Sequence, residues 1–322
     1  MDYNSGEIDI VLATYNGSKY LEQQLISITS MTGFDELVRN IIVCDDNSKD
    51  DTLAIAVKNI PKDKLIILRN TLGKPYGPAK NFERGIAVST AEYVMLSDQD
   101  DCWEKDKLIT YYKEASKFNN KKPLLIFSDL EVVNSELKKI DSSFLKYQSV
   151  DHKWAEKLNN LLIQNIAPGC TMMFNKSLIQ ASMPFPEKCL MHDWWLMLVC
   201  RLYGEISFIE GKTFIKYRQH GSNQVGAKKN SIITHLLNLT RSINIASKNL
   251  IGTINQMQDF KSRYENDLPN ETKNYIEALV FVSNVSSNRY ERIIKALKVK
   301  MHKSTFTKTV GTYFLIFKGL NK

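Results

Sequence analysis

The sequence has few of the residues that stabilise secreted proteins, and no long apolar run. Of its 322 residues five are cysteines, and no two of them form a Cys-x-x-Cys pair. An odd, scattered set argues against a disulfide framework and a zinc site, and it favours a reducing cytosol. No apolar run approaches the roughly 18–20 residues that a membrane-spanning helix needs. The N-terminus is polar and acidic, so we expect no signal peptide.

Acidic residues are scarce in one part of the chain. Residues 227–322 contain 16 Lys/Arg but only 6 Asp/Glu, a net charge of +10, whereas residues 1–226 carry −2. The whole chain is 43% hydrophobic and 24% charged, which is ordinary for a soluble globular protein. The basic segment matches no groove-reading motif, so nucleic acid is not an expected partner. We expect two regions, residues 1–226 and residues 227–322.

Apolar strands alternate with helical periodicity through the first region. Continuous apolar runs predict strands, and helical spacing of apolar residues follows each of the early ones. This alternation predicts an α/β fold whose mostly parallel sheet is covered by helices on both faces. The predicted strands include residues 8–13, 40–44, 64–68, 92–97, 124–128, 205–208 and 214–217.

The fourth of these strands ends in three carboxylates, Asp98, Asp100 and Asp101. Side chains two apart on an extended chain point the same way, so Asp98 and Asp100 should face one point past the strand. Close carboxylates repel unless a cation lies between them, and oxygen ligands suit Mg²⁺ or Mn²⁺. The stretch therefore predicts a metal–diphosphate site. The alternative is a solvated turn in which Asp101 caps a helix beginning near Glu104.

Two other polar turns follow strands of the same sheet. Thr14, Tyr15 and Asn16 come after the first strand, and Asp45 and Asp46 come after the second. Turns favour Asp and Asn without any function. However, parallel strands place their carboxyl ends on one edge, where ligands bind in open α/β sheets. We expect the three turns to converge there.

Two later stretches carry further candidates. Asp193 begins an apolar helix, where it is either a functional carboxylate or a partner of the helix dipole. Trp194 and Trp195 point to different faces, so at least one should pack in the core, and the other can stack on a sugar. His220 lies in a polar loop after Arg218, which either binds phosphate or metal or is a simple hairpin loop.

Taken in order, these stretches resemble family 2 glycosyltransferases of the GT-A fold, and most closely the bacterial rhamnosyltransferase-like branch used in cell-surface polysaccharide assembly. The resemblance covers about residues 8–226 and implies a GT-A domain followed by a C-terminal helical region. The matching stretches are residues 11–17, 44–48, 97–103, 192–195 and 217–223.

The resemblance implies a role for each matching residue. Asp193 would be the general base, and His220 a neighbour of the metal or diphosphate. Asp98 and Asp100 would form the Asp-x-Asp pair of the metal site, with Asp100 on the metal and Asp98 also near the ribose. Asp46 would accept from a pyrimidine ring N–H. Lys80 stands where the family often has Arg, which keeps the charge but loses bidentate geometry. With the tryptophan pair, the predicted nucleotide-sugar contacts are Thr14, Tyr15, Asn16, Asp46, Lys80, Asn81, Asp98, Trp194 and Trp195.

The expected activity is metal-dependent, inverting transfer of one sugar from dTDP-rhamnose or a UDP-sugar to a saccharide acceptor, which we expect to be lipid-linked. The chain lacks the Gln-x-x-Arg-Trp motif of processive members. A sugar nucleotidyltransferase is the alternative, although no glycine-rich loop with a basic residue follows the first strand. A second alternative is a carbohydrate-binding protein without catalytic activity. The presence of Asp98, Asp100 and Asp193 argues against it.

Amphipathic periodicity predicts helices in the C-terminal region, where lysines mix with aromatic residues. A basic helix with an apolar face fits an anionic leaflet. We therefore expect a cytoplasmic protein, peripheral at the inner face of the membrane. The alternative is a helical bundle that packs on the catalytic domain or on a second copy of the chain, as in a homodimer.

Overall fold

The computed structural model describes residues 6–220, 239–284 and 286–320. The chain packs as two compact units. The predicted boundary between Gly226 and Ala227 lies outside the described residues, as do Gly221, Ser222 and Asn223 of the last matching stretch. The first unit comprises Met1–Tyr147, Ala167–Phe185 and Met191–Ala227, and the second comprises Gln148–Ile166, Pro186–Leu190 and Lys228–Lys322.

A nine-stranded sheet forms the centre of the first unit. The strands are β1 (Ile8–Thr14), β2 (Val38–Asp45), β3 (Leu65–Arg69), β4 (Tyr93–Asp98), β5 (Cys102–Trp103), β6 (Leu124–Val133), β7 (Lys139–Asp141), β8 (Met173–Asn175) and β9 (Glu205–Arg218). Their order in the sheet is β3-β2-β1-β4-β8-β6-β9-β5, and β7 pairs with β6 off this path.

Most of these strands run in one direction. The neighbours β1, β2, β3 and β4 are parallel to one another, and β6 is parallel to β9. The short strand β8 lies antiparallel between β4 and β6, while β5 and β7 are antiparallel to their partners. This confirms the predicted α/β fold with a mostly parallel sheet, because the continuous apolar strands are buried on both faces.

Helices cover both faces of the sheet. The helices of this unit are α1 (Ser18–Thr29), α2 (Phe34–Leu37), α3 (Thr52–Asn59), α4 (Pro78–Val88), α5 (Lys107–Ala115), α6 (Phe144–Tyr147), α8 (Lys176–Ser182) and α9 (His192–Tyr203), with α7 (Leu158–Leu161) in the second unit. On one face of the sheet Ile10 and Leu12 belong to a buried cluster with side chains of α1, α3 and α5. On the other face Gly85 brings α4 so close that a Cβ there would lie 2.3 Å from Val11 Cγ1.

Two local predictions are wrong. The segments predicted as separate strands near residues 205–208 and 214–217 form one strand, β9, which passes through Gly211 at a φ of 81°. The helix predicted to begin near Glu104 begins at Lys107, because Cys102 and Trp103 pair with β9 as strand β5. Asp101 therefore caps no helix.

The second unit is helical, as the periodicity predicted. Besides α7 it contains α10 (Leu239–Tyr264), α11 (Asn270–Ser283), α12 (Arg289–Lys298) and α13 (Phe306–Lys318). Its core includes Met257, Phe260, Ile276, Leu279 and Ile316, all fully buried or nearly so. Among the described residues, no helix is both long enough and apolar enough to cross a bilayer.

None of the five cysteines forms a disulfide. Cys44, Cys102, Cys170 and Cys200 are buried, and burial raises the pKa of each of these four thiols. Cys189, in the second unit, is partly exposed.

Candidate active site

The three polar turns meet at one edge of the sheet. The side-chain oxygen of Gln99 accepts from the Tyr15 backbone N–H at 2.8 Å, and its amide nitrogen donates to the Tyr15 carbonyl at 3.1 Å. The Asn16 N–H donates to Ser48 Oγ at 2.9 Å. These bonds connect the turns after β1, β2 and β4, because parallel strands bring their carboxyl ends together. Tyr15 leaves its ring 43% exposed at this edge.

The side chains of Thr14 and Asp46 make more hydrogen bonds within the protein than the sequence suggested. The Thr14 hydroxyl is buried and donates to Asp45 Oδ1 at 3.1 Å. Asp46 Oδ1 accepts from Asn70 Nδ2 at 2.7 Å and from the Tyr76 N–H at 2.8 Å. Its Oδ2 accepts only the Gly77 N–H, at 2.9 Å, among these bonds. A carboxylate oxygen can accept two bonds, so Oδ2 is the atom of Asp46 with room for a base N–H.

Lys80 and Asn81 lie in the first turn of α4. Lys80 is exposed, and its Nζ pairs with Glu83 Oε2 at 2.6 Å. The Asn81 amide is buried, donating to the Cys44 carbonyl at 2.6 Å and accepting from Arg84 at 3.0 Å. Asn81 thus ties α4 to the end of β2, whereas Lys80 keeps its ammonium at the surface.

The acidic turn concentrates negative charge in a buried place. Burial, together with the charges of Asp100 and Asp193, raises the pKa of Asp98 to about 7. Asp193 comes from α9, nearly a hundred residues along the chain, so the fold has brought it within electrostatic range of Asp98. The transferase site predicted from the sequence needs Asp98 and Asp193 near each other, and this electrostatic effect is consistent with that prediction.

A second buried group adjoins the turn. Carboxylate oxygens of Asp98 and Asp101 and the Cys170 sulfur lie within 4.8 Å of one another. Burial, with the charges of Asp100 and Asp98, raises the pKa of Asp101 well above its usual range. Lys107 is the neighbouring cation: its Nζ donates to the Cys170 carbonyl at 2.8 Å and lies 3.2 Å from the centre of the Trp103 ring. Burial lowers the pKa of Lys107 to about 7.

His220 and Arg218 close the other side of the turn. His220 Nε2 lies 2.7 Å from Asp100 Oδ2. The Arg218 backbone N–H donates to Asp101 Oδ1 at 3.1 Å, and its Nε donates to the Asp100 carbonyl at 2.7 Å. Arg218 therefore holds the acidic turn in place, and its guanidinium is committed to the protein instead of to a phosphate.

Asp193 lies at the start of α9, next to a glycine-containing turn. Its Oδ2 accepts from the Gly169 N–H at 3.1 Å, and its Oδ1 accepts from the Trp194 N–H at 2.6 Å. Asp193 is thus a buried carboxylate that also satisfies a donor of the first helical turn. Its neighbour His192 stacks on Phe82, with ring centres 4.1 Å apart.

The tryptophan pair is divided between two roles. Trp195 has no exposed surface, and its indole N–H donates to the Ser182 carbonyl at 3.0 Å. The prediction that Trp195 contacts the sugar is therefore corrected, because its ring lies in the core between α8 and α9. Trp194 is 7% exposed, so a small part of its surface stays accessible. Neighbouring side chains on a helix point about 100° apart, which explains the division.

The residues fit a divalent cation. Burial, with the charges of Asp100 and Asp193, raises the pKa of Asp98, and Asp101 Oδ2 is buried without a hydrogen-bond partner among the described residues. A cation between such oxygens relieves both the repulsion and the missing bond. The predicted metal ligands were Asp98, Asp100 and His220. The described residues whose ligand atoms lie within 4.8 Å of one another are instead Asp98, Asp101 and Cys170.

Sequence reasoning missed Lys107 and Cys170. They lie 63 positions apart and belong to no local motif, so only the packing of α5 against the turn before β8 brings them together. The role of Gln99 was also missed. Its position between two aspartates was visible, but its bonds to Tyr15 depend on the neighbouring strand.

The sheet order and the acidic turn at its edge define a class, the GT-A transferases. Residues 9–179 match the family model described as "Glycosyl transferase family 2". The chain is also 30% identical over 228 residues to the dTDP-rhamnosyl transferase RfbG of Shigella flexneri, covering 67% of this chain and 74% of that protein. The chain therefore belongs to glycosyltransferase family 2.

The chain is also similar to a further relative and to two solved structures. A GalNAc(5)-diNAcBac-PP-undecaprenol beta-1,3-glucosyltransferase of Campylobacter jejuni is 28% identical over 236 residues, or 71% of each chain. S. aureus TarS 1–349, solved in complex with UDP-GlcNAc, superposes with a TM-score of 0.55 at 15% identity, covering 97% of this chain and 90% of that one. The mannosyltransferase PcManGT from Pyrobaculum calidifontis, solved with GDP-Man and Mn²⁺, gives 0.54 at 14% identity, covering 98% and 86%. These likenesses confirm the predicted GT-A fold.

Proposed function

We propose that this glycosyltransferase moves a single sugar, with inversion, from dTDP-rhamnose or a UDP-sugar to a saccharide acceptor in bacterial cell-surface polysaccharide synthesis. The observation that carries the proposal is the packing around Cys170. The Cys170 sulfur lies within 4.8 Å of a carboxylate oxygen of Asp98, and Asp193 Oδ2 accepts from the N–H of Gly169, the preceding residue. Burial, with the charges of Asp100 and Asp193, also raises the pKa of Asp98. These relations support a single site that contains the acidic turn and the carboxylate of α9. The name of the Shigella flexneri relative supports a dTDP-linked donor.

In this proposal Asp193 is the general base. Its carboxylate takes the proton of an acceptor hydroxyl as the hydroxyl oxygen attacks the sugar C1 and the C1–O bond to the nucleoside diphosphate breaks. One base and one displacement invert the anomeric centre. The Gly169 N–H holds Asp193 Oδ2 in place, which fixes the direction of proton transfer.

The leaving nucleoside diphosphate gains negative charge as the bond breaks. A Mg²⁺ or Mn²⁺ ion held by Asp98 and Asp100, with His220 beside them, would stabilise that charge. Lys80 keeps an exposed ammonium in the first turn of α4, where it can approach a phosphate after leaving Glu83. Tyr15 offers its exposed ring to the base, and Asp46 Oδ2 offers the acceptor for a pyrimidine N–H.

We propose further that the acceptor is lipid-linked and that the enzyme works at the cytoplasmic face of the membrane. Support comes from the name of the Campylobacter jejuni relative, which specifies an undecaprenol diphosphate substrate. The basic, aromatic C-terminal region fits the same location. A second copy of the chain as a binding partner remains the alternative proposal for that region.

The role of Asp193 is tested by Asp193→Asn. An amide of the same shape cannot accept the hydroxyl proton, so we expect kcat to fall by about 10²–10⁴-fold. Nucleotide affinity, measured by calorimetry, should stay close to that of the wild type. Asp35→Asn, at an exposed acid in the first turn of α2, is the matched control and should change neither. Wild-type turnover by Asp193→Asn would remove Asp193 from the mechanism.

The donor is tested by a screen of nucleotide sugars with Mn²⁺ or Mg²⁺, scored by release of free nucleoside diphosphate. We expect release from a dTDP- or UDP-sugar and loss of release when the metal is chelated. Release of inorganic pyrophosphate from a nucleoside triphosphate and a sugar phosphate would instead identify a nucleotidyltransferase. Tight binding of GDP without binding of dTDP or UDP would refute the pyrimidine assignment.

A further inference from the structure

The C-terminal helices of the second unit carry two apolar stripes that face solvent. On α13, Phe306, Val310 and Phe314 recur every four residues and are 83%, 48% and 52% exposed. On α12, Ile294 and Leu297 lie on the same face as Tyr290 and are 51% and 58% exposed. An exposed apolar stripe of this regularity marks an interaction surface, because isolated apolar side chains on a surface would show no helical period.

The two stripes adjoin each other. The ring of Tyr290, from α12, meets the ring of Phe317, from α13, edge to face, with centres 6.0 Å apart. Arg289 places its guanidinium 5.2 Å from the centre of the same Phe317 ring. The stripes therefore meet at this end of the helix pair, and cations lie at the point where they meet.

A polar cleft opens at that end. It has a volume of about 380 Å³ and is lined by Ser287, Asn288, Arg289, Tyr290, Arg292, Lys318 and Gly319. Three of these residues are cations, and none is an acid. The cleft also lies at the N-terminal end of α12, where Asn288 caps the helix by accepting the Tyr290 N–H at 2.8 Å. Helix N-termini favour anions.

Arg292 gives the independent sign that this cleft takes an anion. Its side chain is 4% exposed, yet its guanidinium has no acidic partner among the described residues. One terminal nitrogen donates to the Phe317 carbonyl at 3.2 Å and the other lies 3.5 Å from the Asn284 carbonyl. Its Nε–H has no partner within the described chain. An unpaired buried cation is costly, so a fold that keeps one normally supplies an anion.

Resting on the proposed function, we infer that α12 and α13 dock this protein on an anionic bilayer, with the cleft of Arg289, Arg292 and Lys318 binding a phospholipid phosphate. The apolar stripes enter the acyl boundary beside it. From residue 289 to residue 320 the chain carries eight Lys/Arg and one acidic residue, Glu291, so the surrounding charge favours an anionic leaflet. Amphipathic helices with this division of charge lie in the plane of the interface.

The inference is tested by vesicle co-sedimentation of the full chain, with phosphatidylcholine alone and with phosphatidylcholine mixed with phosphatidylglycerol. The wild type should bind the mixed vesicles and bind phosphatidylcholine much more weakly. The triple variant Arg289→Gln, Arg292→Gln, Lys318→Gln should lose about a hundredfold in affinity for mixed vesicles, at about fivefold per cation. The double variant Phe306→Ser, Phe314→Ser should lose about tenfold or more, since two aromatic rings no longer enter the interface.

Matched controls come from the first unit. Lys113→Gln, Lys121→Gln, Lys122→Gln removes the same charge from exposed positions, and Ile26→Ser, Val57→Ser removes exposed apolar side chains. Both controls should bind like the wild type. Circular dichroism of each variant checks that the helices are intact.

Three results would overturn the inference. The first is wild-type binding by both the cation and the phenylalanine variants. The second is equal wild-type binding to both kinds of vesicle. The third is a dimer in light scattering that the phenylalanine variant dissociates, without vesicle binding, because the stripes would then face a second copy. Release of nucleoside diphosphate in solution is measured alongside. Failure of that assay with intact vesicle binding refutes the glycosyl transfer and not the docking surface.

Discussion

Two buried arginines, one in each unit, show how differently the protein treats the same group. Arg218 is 2% exposed and Arg292 is 4% exposed. The guanidinium of Arg218 makes short bonds to protein acceptors at 2.6–2.7 Å, and its plane lies over Tyr20 at 4.5 Å. Within the part of the chain that the structure describes, Arg292 has only long bonds, at 3.2 and 3.5 Å, and its Nε–H has no partner.

The difference separates a structural cation from a binding one. Arg218 supports the backbone of the acidic turn, so the turn keeps its shape although its carboxylates repel one another. Arg292 makes few stabilising bonds within its own unit, and its Nε–H stays available to donate to a ligand. The acidic turn has the complementary property, because Asp101 Oδ2 is a buried acceptor without a donor among the described residues. In each unit the proposed ligand has the charge opposite to that of the unsatisfied group.

The largest expected effect is on stability after Arg218→Met. Removing a buried, fully bonded cation leaves the Asp100, Ser135 and Gln23 oxygens without donors, so we expect a loss of about 3–5 kcal/mol in free energy of unfolding. Arg292→Met should cost less than about 1 kcal/mol in phosphate-free buffer, because few bonds are lost. Urea denaturation of both variants checks the contrast. Equal losses would mean that Arg292 is structural too.

The next effect concerns pH and a third buried polar group, His192. Neither ring nitrogen has a partner among the described residues, and burial lowers the pKa of His192 from 6.5 to about 3. Below pH 6.5 the unfolded chain therefore binds a proton on His192, whereas the folded chain keeps this imidazole neutral down to a pH of about 3. As pH falls below 6.5, His192 should cost about 1.4 kcal/mol of stability per pH unit.

His192→Phe removes that titration while keeping the stack on Phe82. We expect the variant to lose less stability than the wild type between pH 6.5 and the range where acid unfolds both. Thermal unfolding across a pH series provides the comparison, and His152→Phe, at a partly exposed histidine, is the control. Parallel pH profiles for wild type and His192→Phe would contradict a neutral, buried His192.

The smallest effects are at two helix caps. Asn288 caps α12 through one bond to the Tyr290 N–H, so Asn288→Ala should cost about 1 kcal/mol. Asn175 caps α8 and also bonds Leu124, Asn120 and Lys122 backbone groups. Asn175→Ala should therefore cost about 2–3 kcal/mol. Chemical denaturation gives both values, and a larger loss for Asn288→Ala than for Asn175→Ala would contradict the role assigned to the additional bonds of Asn175.

The sequence predicted the parts of the fold that local pattern determines. Strands β1 to β4 are continuous apolar runs that end in polar turns, and parallel pairing then brings the turns together. The continuity of β9 was not predictable, because Gly211 and its charged neighbours read as a turn. The strand passes through them with a shift of register against Ser128 and Asp129 of β6. That shift depends on a partner 80 residues away in the chain.

Candidate site residues could be predicted from the sequence where they belong to a single local motif or to a stretch that resembles the family. Asp98 and Asp100 came from strand geometry, and Asp193 from resemblance. Local pattern could not decide which tryptophan is buried, because that depends on how α9 rotates against α8. Nor could it find Lys107, whose ammonium is held by a carbonyl and a ring from other elements. Such contacts are properties of packing.

The distribution of thiols has a practical consequence for labelling. Four of the five cysteines are buried, with pKa values raised by that burial, so they hold few thiolates at neutral pH and are shielded from reagents. Cys189 is the accessible one. A maleimide fluorophore added to the native wild type should attach there first, which gives the helical unit an optical reporter without any engineered cysteine.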